Sequence, residues 1–214
     1  LKKLAFEKEA IGFFLTGHPL EGVNNDLKRV TDIEIDKLAT LVDGQPVRVG
    51  GLIQTFREHK SKKGDRMAFA TLEDMTGSVE LVVFPNAFAE CGHLLGREEP
   101  VVVLGRVQLE ERGPKITVES IEPLHAALIK YTQDVIIRIR AQQTSRQHLE
   151  QLKEMFYQHH GTCPVRLILH FDGRGEVDVE ILKDLKIKPS SEFFRQVEET
   201  LGYSSLIIRA KETE

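Results

Sequence analysis

The chain has 214 residues, of which 41% are hydrophobic and 29% charged, and it carries a net charge of −4. That composition is ordinary for a soluble globular protein, and no apolar run approaches the roughly 20 residues that a membrane helix requires. The acidic balance excludes a protein that coats nucleic acid by bulk charge, so any such contact must come from a local basic patch.

This length accommodates one large or two modest domains. The sequence divides into a helical lead-in over 1–43, a strand-rich domain over 44–128 and an α+β domain over 129–214. Cys91 and Cys163 lie far apart, form no Cys-x-x-Cys motif and follow no secretory leader. Reduced thiols, a cytoplasmic location and no membrane contact are therefore expected. The chain begins at Leu1 with residues that read as mid-helix, which suggests a piece of something longer.

Leu4, Ala10, Ile11, Phe14 and Leu15 recur at helical spacing, and Gly17 and Pro19 stop the run. His18 in that turn has no second metal ligand at usable spacing. Thr31-Asp32-Ile33-Glu34 has the form of a capping box and predicts a short helix through Leu41 that ends at Asp43-Gly44.

From Pro46 to Ile121 the pattern changes to short apolar runs. Val47–Phe56, Arg66–Asp74 and Gly77–Phe84 read as three strands, the last two joined through a turn at Asp74-Met75-Thr76-Gly77. Pro85–Leu95 follows with a proline suited to a helix start and apolar residues at helical spacing. Val101–Val107 and Lys115–Ile121 complete five strands. Three strands, a helix and two more strands is the order of a five-stranded OB-fold β-barrel, whose first strand must bend to serve both halves of the sheet. Gly50-Gly51 sits where that bend is needed.

The most informative polar stretch is Arg57–Arg66, read as the connection between the first two strands. It concentrates Arg57, Lys60, Lys62, Lys63 and Arg66 on an otherwise acidic chain. Single-stranded nucleic acid is held by a basic groove that follows phosphates and by aromatics that stack on bases. Phe69 is the candidate platform, with Phe56 and Phe84 behind it. Alternation sets Met67, Phe69 and Thr71 on one side and Ala68, Ala70 and Leu72 on the other, so a barrel filled by the latter set exposes Phe69. Phe84 is assigned to the core.

From Asp134 a second pattern begins, with strand Val135–Ala141, helix Ser145–His160, strands Val165–Phe171 and Glu176–Ile181, helix Ser190–Leu201 and strand Leu206–Ala210. That order is ferredoxin-like or a related split unit. Asp172–Gly175 reads as a hairpin turn.

Several of these stretches carry a resemblance. Phe6–Leu20 with its Gly17-His18-Pro19-Leu20 ending, Val47–Ile53, Lys62–Asp74 and Gly77–Pro85 together resemble, in order and spacing, the C-terminal third of the alpha subunit of bacterial replicative DNA polymerase III. The barrel portion also resembles the anticodon-binding barrels of class II aminoacyl-tRNA synthetases, and the helix ending in Gly17-His18-Pro19-Leu20 separates the two. Gly161–Val165 and Lys188–Ser191 resemble the terminal polymerase domain more loosely. The resemblance implies a barrel near the single-stranded DNA template, then a small domain that contacts the tau subunit of the clamp loader alongside other replisome subunits. The parent is a DNA-directed DNA polymerase, a nucleotidyltransferase whose catalytic aspartates lie in an upstream palm absent from this sequence. In the synthetase barrels the strand phenylalanine stacks on an anticodon base, and Phe69 occupies the matching place. A tRNA-anticodon module and a purely structural adaptor are the alternatives.

No catalytic residue, cofactor or metal is assigned. Asp178 and Glu180 share one strand face, but their alternation with Val177, Val179 and Ile181 describes a half-buried strand. Gln151–Phe156 faintly resembles the peptides that sliding clamps bind, yet Leu149, Leu152, Met155 and Phe156 form the apolar stripe of a helix. For the terminal domain, Phe193, Phe194 and Tyr203 are the candidate partner-binding residues. Adjacent helical positions cannot both point straight inward, so one of the two phenylalanines is expected to be partly exposed.

Overall fold

The computed structural model describes residues 19–173, 175–179 and 185–213. The helix expected over Leu4–Leu15, His18, Glu180 and Ile181 lie outside them. The described residues form two compact units, the first running to Ala127 and the second spanning Leu128–Lys211.

In the first unit, strands β1 (Pro46–Lys60), β2 (Arg66–Glu73), β3 (Ser78–Val83), β4 (Val101–Glu110) and β5 (Gly113–Pro123) close into a barrel in the order β1-β2-β3-β5-β4. β3 and β5 run parallel and the other neighbours antiparallel, which makes this a closed OB-fold barrel. β1 serves two partners: Pro46–Gly51 pairs with β4, and Leu52–Lys60 pairs with β2. The change falls at Gly51, as the glycine pair suggested. A Cβ there would lie 2.3 Å from the Glu73 carbonyl oxygen, so the close backbone approach admits only glycine. A bulge follows between Ile53 and Thr55.

Alternation fills the barrel. Ala68, Ala70 and Leu72 of β2 and Val79, Leu81 and Val83 of β3 point inward with Val47, Val49, Val103 and Ile116. Helix α1 (Asn24–Val30) precedes the barrel, and α2 (Pro85–Cys91) covers the barrel's end with Ala87 and Cys91 buried. Pro85 opens α2 as the first helical residue, where its missing N–H costs nothing.

The lead-in departs from expectation. Thr31 does not cap a helix start; its hydroxyl donates to the Leu27 carbonyl at 3.0 Å and closes α1. Hydrogen bonds to the barrel hold this segment instead. Asp32 accepts from the Arg48 backbone N–H at 2.8 Å, and Asp74 accepts from the Ile35 N–H at 2.9 Å. Ile35–Thr40 then forms a 3-10 turn that buries Ile35 and Leu38 in the barrel core. Helix α3 (Leu124–Tyr131), absent from the sequence reading, carries the chain out of β5.

The second unit contains β6 (Thr132–Arg140), α4 (Arg146–Gln158), β7 (His160–Phe171), β8 (Gly175–Val179), β9 (Lys186–Ile187), α5 (Ser191–Leu201) and β10 (Leu206–Ala210). The sheet order is β10-β6-β7-β8, with β9 against the start of β7. This is the expected α+β class. The crossover through α4 joins β6 and β7 as direct parallel neighbours, so no third strand splits the unit. Ser145 and Ser190 cap α4 and α5 by accepting from the His148 and Phe193 backbone N–H groups.

Candidate nucleic-acid interface

Register along β1, β2 and β3 defines the outer face of the barrel. Arg57 stands opposite Phe69, which stands opposite Val82; Thr55 stands opposite Thr71, which stands opposite Glu80. Directly opposed residues share a face, and this face is the one turned away from Ala68, Ala70 and Leu72. Phe69 is half-buried there and is not part of the barrel core. His59 meets it edge-on, with ring centroids 6.1 Å apart, and the Thr55 and Thr71 hydroxyls are bonded at 3.2 Å. Phe56 pairs with Ala70 and therefore lies on the opposite side from Phe69, 40% exposed at the barrel's edge.

The basic stretch is shorter as a loop than the sequence implied. β1 continues to Lys60 and β2 begins at Arg66, leaving Ser61–Asp65 as the turn. The Ser61 N–H donates to the Asp65 carbonyl at 2.8 Å, and the Ser61 hydroxyl accepts from the Lys63 and Asp65 N–H groups, both at 3.2 Å. Gly64 supplies the left-handed residue with φ of 92°. Lys62 and Lys63 project from this fixed turn.

The cations are not equivalent. Arg57, Lys60, Lys62 and Lys63 are exposed and make no ion pair among the described residues. Arg66 is already committed: its Nη2 sits 2.8 Å from Glu58 Oε2, and its guanidinium lies 5.1 Å from the Phe88 ring centroid. Alternation also sets Arg66, and Lys60 directly opposite it, on the face opposite Phe69, so Arg57 is the cation of the strands that shares the Phe69 face. Beside the outer face, Lys115 bonds Glu110 and Glu80, and these two carboxylates raise its pKa.

Phe84 is a correction. It is 46% exposed rather than core, because Val79, Leu81 and Val83 occupy the inner positions and alternation turns Val82 and Phe84 outward. Applied to this strand, the rule that placed Phe69 would have found it. His59, within the basic stretch, shares the Phe69 face by the same rule.

The pair Phe193 and Phe194 is a second correction, since both are buried, at 0% and 1% exposure. α5 is covered on two flanks, by α4 and by β10, so adjacent residues about 100° apart both find cover. Phe193 packs on Phe156 and His159, with centroids 6.2 and 5.4 Å away. Tyr203 keeps a half-exposed edge, while its hydroxyl accepts from the Arg140 N–H at 2.8 Å and its ring carries the Arg140 guanidinium at 4.7 Å. Elsewhere in this unit, Asp178 faces Arg166 at 3.6 Å on the surface, and Leu152 and Phe156 of α4 are core, although Leu149 is 43% exposed.

Residues 47–124 match the OB-fold nucleic acid binding domain family. The DNA polymerase III subunit alpha of Pseudomonas aeruginosa is 33% identical over 168 residues, 78% of this chain and 14% of that protein. The chain is homologous to the OB-fold region of bacterial DNA polymerase III alpha subunits. The alpha subunit of Halalkalibacterium halodurans is 28% identical over 221 residues, covering all of this chain and 19% of its own length. The chain thus spans less than a fifth of the alpha subunits it matches. Among solved structures, asparaginyl-tRNA synthetase from Pyrococcus horikoshii aligns at 30% identity over 42% of this chain and 21% of that one, with a TM-score of 0.35. Among the described residues no helix is long and apolar enough to cross a membrane, and no group of three His, Cys, Asp or Glu residues is placed to hold a metal ion.

Proposed function

We propose that this chain is a non-catalytic binding part of a replicative DNA polymerase alpha subunit, holding single-stranded DNA on the outer face of its barrel. One observation carries the reading: an outward aromatic ring, Phe69, lies directly opposite Arg57 on a chain of net negative charge, beside a turn whose lysines have no ionic partner among the described residues. Stacking on a ring plus phosphate contact by free cations is how single strands are bound without sequence readout. The alpha-subunit homology supports DNA as the ligand.

The same reading assigns residues 44–128 to DNA and residues 129–214 to docking on the clamp-loader tau subunit, next to other replisome subunits in the cytoplasm. The docking half draws on the homology, which in the Halalkalibacterium protein extends over the whole chain. It also draws on charge. Among the described residues Arg138, Arg146, Arg166, Arg195 and Arg209 each face a carboxylate, unlike the lysines of the barrel turn.

The test is a titration of the chain with oligodeoxythymidine and with tRNA at several salt concentrations, together with an incorporation assay on primed template with magnesium. Weak, salt-sensitive binding of the oligonucleotide without incorporation is expected. Preference for one anticodon loop would make this a tRNA module, and binding of neither ligand would make it an adaptor.

A further inference from the structure

We infer that Phe84 and the Ser61–Asp65 turn form a second nucleobase subsite, which extends the single-stranded DNA path beyond Phe69. The inference rests on the outer-face reading above and adds to it a ring and a pocket that the reading does not use.

An exposed phenylalanine alone is unremarkable, because much of any protein surface is apolar. Phe84 differs in its setting. It lines a pocket of about 420 Å³ together with Ser61, Lys62, Lys63, Asp65, Pro85 and Asn86. That volume falls within the roughly 300–1,000 Å³ typical of small-molecule sites. Phe84 and Pro85 supply an apolar wall, and the two lysines supply cations with no ionic partner among the described residues. Asp65 is the one carboxylate in the lining, so a phosphate is favoured on the lysine side and repelled from the other.

The backbone beneath the ring is fixed. Phe84 is extended, with φ of −67° and ψ of 164°, and its carbonyl accepts the Phe88 N–H at 2.8 Å. Pro85 then locks the start of α2. Phe84 therefore sits on a strand-to-helix junction that needs no ordering when a ligand arrives, and the turn opposite is closed by its own hydrogen bonds.

Register relates the two rings. Phe69 lies opposite Val82, and Phe84 follows Val82 by two residues on the same face, roughly 7 Å along the strand. A strand laid across β2 and β3 thus meets Phe69 and Phe84 in succession, with Arg57 flanking the first and Lys62 and Lys63 the second.

The chain contains no tryptophan, so Phe84→Trp and Phe69→Trp each install a single fluorescent reporter. Both should be quenched by oligodeoxythymidine at low salt. Phe84→Ala should weaken binding about five- to hundredfold, the loss expected for one stacked base, and leave the salt slope unchanged. Phe84→Leu, which keeps apolar bulk without a π face, should weaken it similarly with an unchanged melting temperature. If both Phe84 variants bind like the parent, or Phe84→Trp is not quenched, while Phe69→Ala loses affinity, the subsite is wrong and the Phe69 face stands. If Phe69→Ala and the lysine variants also bind like the parent, the outer-face reading falls and the subsite with it.

Discussion

Arg57 on β1 stands directly opposite Phe69 on β2, so a cation and an aromatic ring share one face of the barrel at the separation of neighbouring strands. On the proposed reading the pair would hold a nucleotide by its phosphate and its base at once. Phe69→Ala is expected to weaken oligodeoxythymidine binding by about 1–3 kcal/mol with little change in salt slope. Arg57→Ala should instead reduce the slope by about 0.7, the contribution of one neutralised phosphate on a single strand. Because Phe69 is half-buried, its variant should also be melted. A large fall in melting temperature without a matching loss of binding would make the ring structural.

The salt dependence as a whole should be shallow. Four free cations, Arg57, Lys60, Lys62 and Lys63, set a limiting slope of about −3 in log K against log salt. Replacing Lys60, Lys62 and Lys63 by alanine should bring it to about −0.7. Arg66→Ala is the contrast. Its guanidinium is held by Glu58 and stacked near Phe88, so the expected effect is a small loss of stability with the slope kept. Equal loss of slope from Arg66→Ala would show that the Glu58 pair opens for DNA.

The sequence made the barrel legible because its strands obey two-residue alternation and its bend is marked by adjacent glycines. Ala68, Ala70 and Leu72 point where the pattern put them, and Gly51 lies where β1 changes partner. Less was legible where a charged segment extends a strand past the core. Glu58-His59-Lys60 looks like loop, yet its backbone is satisfied by β2, and pairing rather than burial fixes it. α1 escaped notice because it has no side-chain N-cap and begins with two asparagines, a turn signal in isolation. Phe84, Phe193 and Phe194 share another lesson: an apolar residue's side is set by its neighbours' parity and by how many flanks are covered, not by its own hydrophobicity.

Asp74 ties the β2–β3 turn to the lead-in. Its Oδ1 accepts from the Thr76 N–H and hydroxyl, both at 2.7 Å, and from the Gly77 N–H at 2.9 Å, while Oδ2 takes the Ile35 N–H. Asp74→Ala leaves these donors without their acceptor and should cost about 2–3 kcal/mol in urea unfolding. Asp74→Asn keeps an acceptor for the turn but sets an amide against the second site, so an intermediate loss is expected. A cost below about 0.5 kcal/mol for the alanine variant would show that water replaces the carboxylate fully.

Both thiols should be inert in the folded chain. Burial, aided by the nearby Asp134 charge, pushes Cys163 up to about 11, and burial raises Cys91 as well. At pH 8 only about one Cys163 in a thousand is then thiolate, the reactive form. A disulfide reagent at that pH should modify both residues far more slowly in the native chain than in urea. A thiol whose pKa is raised by folding stabilises the fold below its unfolded value, and that contribution is lost as pH climbs from about 9 toward 11. Fast native labelling at pH 8 would contradict the burial of these residues.

If the second unit docks tau, a pull-down with the full chain should retain that subunit, and a chain ending at Tyr131 should lose it while binding oligodeoxythymidine as before. Phe193→Ala and Phe194→Ala should act indirectly, each costing about 3–5 kcal/mol by emptying a buried site and so removing docking through unfolding. Tyr203 is the informative position, because it alone of the three keeps surface. Tyr203→Phe removes the hydroxyl that Arg140 N–H and Thr144 share, and should lower stability modestly with tau retained. Tyr203→Ala removes the ring as well; loss of tau from that variant while its second unit remains folded by circular dichroism would place the docking surface at this edge. Retention of tau by the chain ending at Tyr131 would assign docking to the barrel side and end the proposed division.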